Sequence, residues 1–210
     1  MRVSLNNGGW LDVKVEVEGL PMLLMVDTGA NNLNLHRPSA ERAKLPIREI
    51  QEKTGALGGV LETGITRISK LSFGGIASPA ESYVVDLSRA NALRERYGEP
   101  PCDGVLGGSS LAHWSAIIDY PNSNLYLLDP ARKPKSPAKL LTAAGYVPIP
   151  LQLNKSFTLD VNAQVNGRAT HFANISGGFC VAPNAGGLAS AASPVGIQGG
   201  GVAELVGSEL

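Results

Sequence analysis

The sequence has few of the residues that build metal sites and disulfide frameworks. Its 210 residues include two cysteines, Cys102 and Cys180, and three histidines, at positions 36, 113 and 171. Two cysteines are too few for a disulfide framework and lack the spacing of a zinc site. The histidines form no HExxH pattern. We therefore expect no metal and no cofactor, and we interpret the two cysteines as core thiols.

Neither sign of charge is in surplus, because 18 basic residues balance 18 acidic ones. Without a basic surplus to neutralise phosphates, nucleic acid is not an expected partner. No run approaches the roughly 18 apolar residues of a membrane span, so a membrane is not expected either. The N-terminal stretch 1–7 lacks the apolar core of a signal peptide. The compartment stays unknown, and a periplasmic or secreted location stays open if the N-terminus is truncated.

What the chain does contain favours a β protein. Apolar residues make up 43%, enough for a core, and 25 glycines and 14 prolines separate short apolar runs. Strict alternation from Leu11 to Glu18 predicts a half-buried antiparallel strand. The continuous apolar run from Met22 to Val26 predicts a strand buried on both faces. Short helices are predicted only over 39–44, from Ser88 as N-cap to Arg96, and near Ser109 to Trp114.

Two hairpins are predicted from turn residues. The stretch Thr54–Gly64 carries apolar residues between its glycines and indicates a mobile hairpin. Further strands are expected at Ile65–Phe73 and Tyr83–Leu87. A second hairpin is expected over 116–128, around the turn Pro121–Asn124.

The composition changes at Asp129, where a run rich in proline and cations is typical of a linker. The strand pattern then restarts, because Leu159-Asp160-Val161 repeats Leu11-Asp12-Val13 at an offset of 148 residues (159 − 11). At the same offset Ser176-Gly177 matches Thr28-Gly29. We predict a lobe over 1–128, a linker over 129–145 and an incomplete second lobe over 146–210 with a Gly/Ala-rich tail.

A carboxylate follows the buried strand directly, in the segment Asp27-Thr28-Gly29-Ala30. Burying a lone carboxylate is costly, so its position needs a reason. One possible reason is that the segment is simply a turn, since Asp and Gly favour turns. A second motif, Gly104-Val105-Leu106-Gly107, follows at a distance, with the glycine-rich hairpin between the two. The combination is more specific than either motif alone.

The two motifs resemble the active-site signatures of the retropepsin and pepsin clan of aspartic proteases. The resemblance covers residues 10–128 well and 146–182 faintly. It implies an all-β closed acid-protease barrel lobe with a partial second lobe of the same type, and an aspartic endopeptidase that acts on peptide or protein substrates.

The resemblance also implies roles for single residues. Asp27 would be the catalytic carboxylate, with Thr28, Gly29 and Ala30 supporting its loop; Thr28 would bond across to the partner lobe. The glycine-rich hairpin, with Gly58 and Gly59, would be a flap that closes over substrate. Asp103 and Asp119 are interpreted as structural, and Val105-Leu106-Gly107 as packing beneath the loop.

Hydrolysis of a peptide without a metal or a nucleophile needs two carboxylates that share a proton, one acting as base and the other as acid. At the offset of 148 Asp27 matches Ile175, and a shift by one residue gives Asn174, so the repeat restores no carboxylate. One alternative is a homodimer in which each chain contributes Asp27. The other is a non-catalytic peptide-binding pseudoprotease, or a fragment lacking the second Asp, in which the half-lobe occupies the partner surface.

Overall fold

The structure is a computed structural model that describes residues 4–5, 10–56, 59–119 and 122–127. Further along the chain it describes residues 139, 142–143, 145 and 147 and the three strands 152–153, 159–165 and 168–174. Among these residues the structure defines the bounds of thirteen strands and three helices, and residues 139 and 142–143 are also helical. The strands are β1 (Ser4–Leu5), β2 (Leu11–Val17), β3 (Leu20–Val26), β4 (Asn34–His36), β5 (Arg48–Ala56), β6 (Gly59–Phe73), β7 (Ile76–Val85), β8 (Gly104–Leu106), β9 (Ile117–Asp119), β10 (Asn124–Tyr126), β11 (Gln152–Leu153), β12 (Leu159–Val165) and β13 (Arg168–Asn174). The helices are α1 (Arg37–Arg42), α2 (Ser88–Arg96) and α3 (Gly108–His113).

Six strands form a closed ring in the order β2-β3-β8-β4-β7-β6. The ring closes where β6 returns to β2, with Ser72 opposite Glu16 and Leu71 opposite Val17. Strands β3 and β8 are parallel, as are β4 and β7, and the other neighbours in the ring are antiparallel. β1 and β5 extend the sheet beyond the ring by pairing with β2 and β6. The all-β closed-barrel fold expected from the resemblance is confirmed.

The ring encloses a hydrophobic core. In β2 the apolar positions of the alternating pattern are all buried, and in β3 Met22, Leu24 and Val26 are at most 3% exposed. Leu23 and Met25 are only half-buried, so the prediction that this strand is buried on both faces was wrong for one face. Met25 packs instead against a smaller cluster that contains Val105.

The three predicted helices are present, and their ends differ from the prediction by up to two residues. Ser88 is not an N-cap: it is the first residue of α2, and the cap position is Leu87. The reason is Asp86, whose carboxylate accepts hydrogen bonds from the Ser88 N–H at 2.8 Å and the Ser88 hydroxyl at 2.5 Å. These two bonds lower the pKa of Asp86. Among the described residues no helix is long and apolar enough to span a membrane.

The C-terminal sheet repeats the first three strands of the chain. The bounds of β1, β2 and β3, shifted by 148 residues, are the bounds of β11, β12 and β13. The pairing repeats as well: Leu11 opposite Val26 becomes Leu159 opposite Asn174. The backbone thus agrees with the internal duplication inferred from the sequence. Most of the predicted linker and all of 175–210 lie outside the described residues, so the boundaries at 129 and 146 stay predictions.

Candidate active site

Asp27 lies just past the end of β3, half-buried, in a turn that its own side chain closes. Its Oδ1 accepts the Gly29 N–H at 2.8 Å, and its carbonyl oxygen accepts the Ala30 N–H at 3.2 Å. Its own N–H donates to the Leu106 carbonyl oxygen at 3.1 Å. The segment is therefore a turn capped by the Asp27 side chain, in agreement with the interpretation that Asp and Gly occur here because they favour turns. It is also joined to the second motif, as the functional interpretation required.

The residues that follow Asp27 are hydrogen-bonded to the backbone at the start of α3. Thr28 is 7% exposed, whereas Gly29 and Ala30 are half-buried. The Ala30 carbonyl oxygen accepts the Gly108 N–H at 2.7 Å, and the Asn31 carbonyl oxygen accepts the Ser109 N–H at 2.8 Å. The loop therefore lies across the start of α3. The role of Thr28 in bonding to a partner lobe stays a prediction.

The glycines of the second motif are required by close backbone contact. A Cβ on Gly107 would overlap the Asn32 carbonyl oxygen and lie 2.6 Å from the Ala30 carbonyl oxygen. A Cβ on Gly104 would overlap the Asn34 carbonyl oxygen. Any side chain at Gly107 would displace the loop that follows Asp27, and any side chain at Gly104 would displace the start of β4. Val105 and Leu106, between the glycines, are 6% and 0% exposed and form packing, as the sequence indicated.

Asp103 joins three elements next to this motif. Its Oδ2 accepts the Leu23 N–H at 2.8 Å, and its Oδ1 accepts the Ser39 hydroxyl at 2.6 Å and Arg42 Nη2 at 2.7 Å. Burial, the largest single influence, raises the pKa of Asp103, but the bonds from Ser39, Leu23 and Arg42 together outweigh it and lower the pKa. These contacts agree with the interpretation of Asp103 as structural. Asp119, also interpreted so, accepts bonds from the Asn122 side chain and N–H.

The glycine-rich hairpin is formed by β5 and β6 and is longer than the sequence indicated. Pairing extends from Arg48 opposite Ile65 to Ala56 opposite Gly59. Gly59 is thus the first residue of β6, and Gly58 lies outside the described residues. The hairpin is present where a flap is expected. Its closure over a substrate stays a prediction.

A buried ion pair was missed in the sequence. Asp12 stands at a position of β2 where the alternation predicts an exposed charge, yet it is 4% exposed. Its two carboxylate oxygens accept bonds from the Arg94 guanidinium at 3.1 and 2.7 Å. Arg94, in α2, also donates from Nε to the Pro100 carbonyl oxygen at 2.7 Å and lies 5.4 Å from the centre of the Trp10 ring. Periodicity within β2 carries no signal for a partner 82 residues away.

Cys102 fits the interpretation as a core thiol. It is 2% exposed, and burial raises the pKa of Cys102 to about 11. A thiol with that pKa stays protonated and is a poor nucleophile near neutral pH. Across the part of the chain that the structure describes, no group of three or more His, Cys, Asp or Glu side chains is placed to hold a metal ion.

Residues 13–109 match the family model described as Aspartyl protease. The matched segment contains both motifs, Asp27-Thr28-Gly29-Ala30 and Gly104-Val105-Leu106-Gly107. The resemblance to aspartic proteases inferred from the two motifs is confirmed by this match.

The solved structures that are similar to the chain include three proteases or protease-like domains. EIAV protease, complexed with the inhibitor HBY-793, is 21% identical over 51% of this chain and 90% of that one, with a TM-score of 0.40. The retroviral protease-like domain of Ddi1 from Leishmania major is 21% identical over 56% and 87%, with a TM-score of 0.39. A retropepsin-like aspartic protease from Rickettsia conorii is 16% identical over 57% and 84%, with a TM-score of 0.42. No curated protein matches the chain.

Proposed function

We propose that the protein is an aspartic endopeptidase that hydrolyses peptide bonds with a water activated by two aspartates, Asp27 of one chain and Asp27 of a second copy. The observation that carries this proposal is the placement of Asp27. Strand β3, which is buried on one face, delivers Asp27, half-buried, into a turn whose backbone is fixed from beneath by β8. A preorganised carboxylate in such a turn suits acid–base chemistry.

In the proposed mechanism the two carboxylates share one proton. Like-charge repulsion separates their two pKa values, so that one takes a proton from the attacking water while the other gives a proton to the peptide carbonyl oxygen. Neither step needs a metal or a covalent intermediate. Thr28 bonds the two loops together, and Gly29 and Ala30 keep the backbone close to the paired carboxylates.

The hairpin of β5 and β6 is the proposed flap. Its tip, with Gly58 and Gly59, closes over the bound peptide and excludes water from the carboxylates. The proposal is supported by the length of the hairpin, since all nine residues of β5 lie in it, and by the register shift between Ile50 and Lys53, which interrupts the regular ladder.

The second carboxylate is assigned to another copy of the chain because the repeat offers none. Strand β13 corresponds to β3, and the residue that follows β13 is Ile175 where Asp27 follows β3. Isoleucine has no proton to exchange.

A second candidate function is a peptide-binding pseudoprotease. The agreement of β11–β13 with β1–β3 in bounds and register favours it, because part of a second lobe within the chain would compete with a second copy for the same surface. Such a protein would hold peptides beneath the flap without cleaving them.

Peptide cleavage at mildly acidic pH distinguishes the two. We expect the wild-type protein to cleave a mixed peptide library as a dimer, and Asp27→Asn to lose cleavage while keeping the dimer mass. Asp119→Asn is the matched control, because it makes the same chemical change at a carboxylate that only caps a turn. A monomer that binds peptides and cleaves none would establish the pseudoprotease. Equal cleavage by wild type and Asp27→Asn would remove Asp27 from the mechanism.

A further inference from the structure

Asp103 bonds to a single residue of β3 through both its backbone and its side chain. Its N–H donates to the Leu23 carbonyl oxygen at 2.7 Å, and its Oδ2 accepts the Leu23 N–H at 2.8 Å. From this point β3 and β8 run in parallel register as far as Val26 opposite Leu106. Asp103 therefore fixes the upstream end of the pairing between β3 and β8.

The downstream end of the same pairing carries the candidate site. The Asp27 N–H donates to the Leu106 carbonyl oxygen at 3.1 Å, three residues beyond Asp103 and about 10 Å along the strand. The next residue, Gly107, lies so close to the loop after Asp27 that not even a Cβ fits between them. Any slip of β8 against β3 would therefore move the loop that holds Asp27.

Both oxygens of the Asp103 carboxylate are used. Oδ2 serves β3, while Oδ1 accepts Ser39 at 2.6 Å and Arg42 at 2.7 Å from α1. An amide in its place has one accepting oxygen, so either the Leu23 N–H or the two donors of α1 would lose their acceptor. A backbone N–H left unpaired beside the core is costly, and the strand pairing would shift to relieve it.

We propose that Asp103 is a positioning residue, whose carboxylate fixes the register of β8 against β3 and, through that register, the place of Asp27. This inference rests on the proposed peptidase for its kinetic consequence. Its structural consequence is independent of activity. Asp103 does not contact the reacting atoms in this proposal and acts only through the backbone.

The test compares Asp103→Asn with Arg42→Gln. In the first variant one accepting oxygen has to serve both the Leu23 N–H and the donors of α1, whereas the second removes one donor of α1 and leaves both carboxylate oxygens in place. At a temperature where both are folded, we expect Asp103→Asn to lower kcat by roughly 10- to 100-fold, as small misplacements of a catalytic group do. KM should change much less. Arg42→Gln should keep kcat while losing thermal stability.

Hydrogen exchange gives a measurement that needs no activity. We expect the Asp27 amide to exchange about tenfold faster or more in Asp103→Asn, and unchanged in Arg42→Gln and in the double variant Ser39→Ala/Arg42→Gln. If Asp103→Asn does not fold, the double variant Ser39→Ala/Arg42→Gln decides. Faster exchange of the Asp27 amide in that variant would overturn the inference. Unchanged exchange and unchanged kcat in Asp103→Asn would also overturn it. If the wild type cleaves nothing, the proposed peptidase fails and the exchange result alone decides on Asp103.

Discussion

At the scale of single residues, backbone contacts hold Asp27, Gly104 and Gly107 in place. The motif around Asp27 was recognisable because a charge directly follows an apolar strand. The reason for Gly104 and Gly107 was not visible, since it lies in carbonyl oxygens of residues some seventy positions earlier. The burial of Asp12 was likewise invisible, because its partner Arg94 belongs to a distant helix.

Gly107→Ala tests the contact beneath the candidate catalytic loop. The added methyl group meets backbone oxygens, which cannot rotate away, so the loop or β8 must shift. We expect a loss of about 1–3 kcal/mol in the free energy of unfolding, measured in urea, as for other overpacked sites. The control is Gly64→Ala, whose methyl group meets the Ile47 Cγ2 methyl group of a side chain and no backbone atom as closely. Equal losses in both variants would contradict the assigned contact.

At the scale of elements, the sequence predicted strands with a clear apolar period and missed those formed by pairing alone. The alternation in β2 was sufficient to predict that strand to within a residue. The first part of β5, Arg48 to Lys53, has four charged residues in six and no apolar period, and it becomes a strand because it pairs with β6. Helix α2 was predicted, but its anchoring by Arg94 to β2 depends on tertiary structure.

The anchoring of α2 gives a second prediction. Arg94 and Asp12 have 2% and 4% of their side chains exposed, so Arg94→Met leaves a buried carboxylate without its cation. We expect a loss of roughly 3–5 kcal/mol in the free energy of unfolding, since breaking one side of a buried pair is strongly destabilising. The surface pair Arg67–Glu81 is the control, because Arg67→Met should cost less than about 1 kcal/mol. Similar costs in the two variants would show that burial of the first pair contributes nothing.

At the scale of the whole molecule, the chain combines one closed barrel with a repeat of its first three strands. The repeat was detectable in the sequence at an offset of 148 residues, and the bounds and register of β11–β13 agree with it. The sequence also indicates that the repeat carries Ile175 in place of an aspartate. The pairing of two chains is not encoded in any motif, because it depends on which surface the C-terminal part of the chain covers.

The central claim is that two chains each contribute Asp27 to one site, and mixing wild type with Asp27→Asn tests it most directly. If chains exchange at random into dimers and a mixed dimer is inactive, the activity per wild-type chain should equal the wild-type fraction of the mixture. It should therefore fall to about half in an equal mixture. Asp119→Asn mixed in the same way should leave the activity per total chain unchanged. We predict this fall in activity on mixing with Asp27→Asn, whereas activity per wild-type chain that stays constant at every ratio would contradict a site shared by two chains.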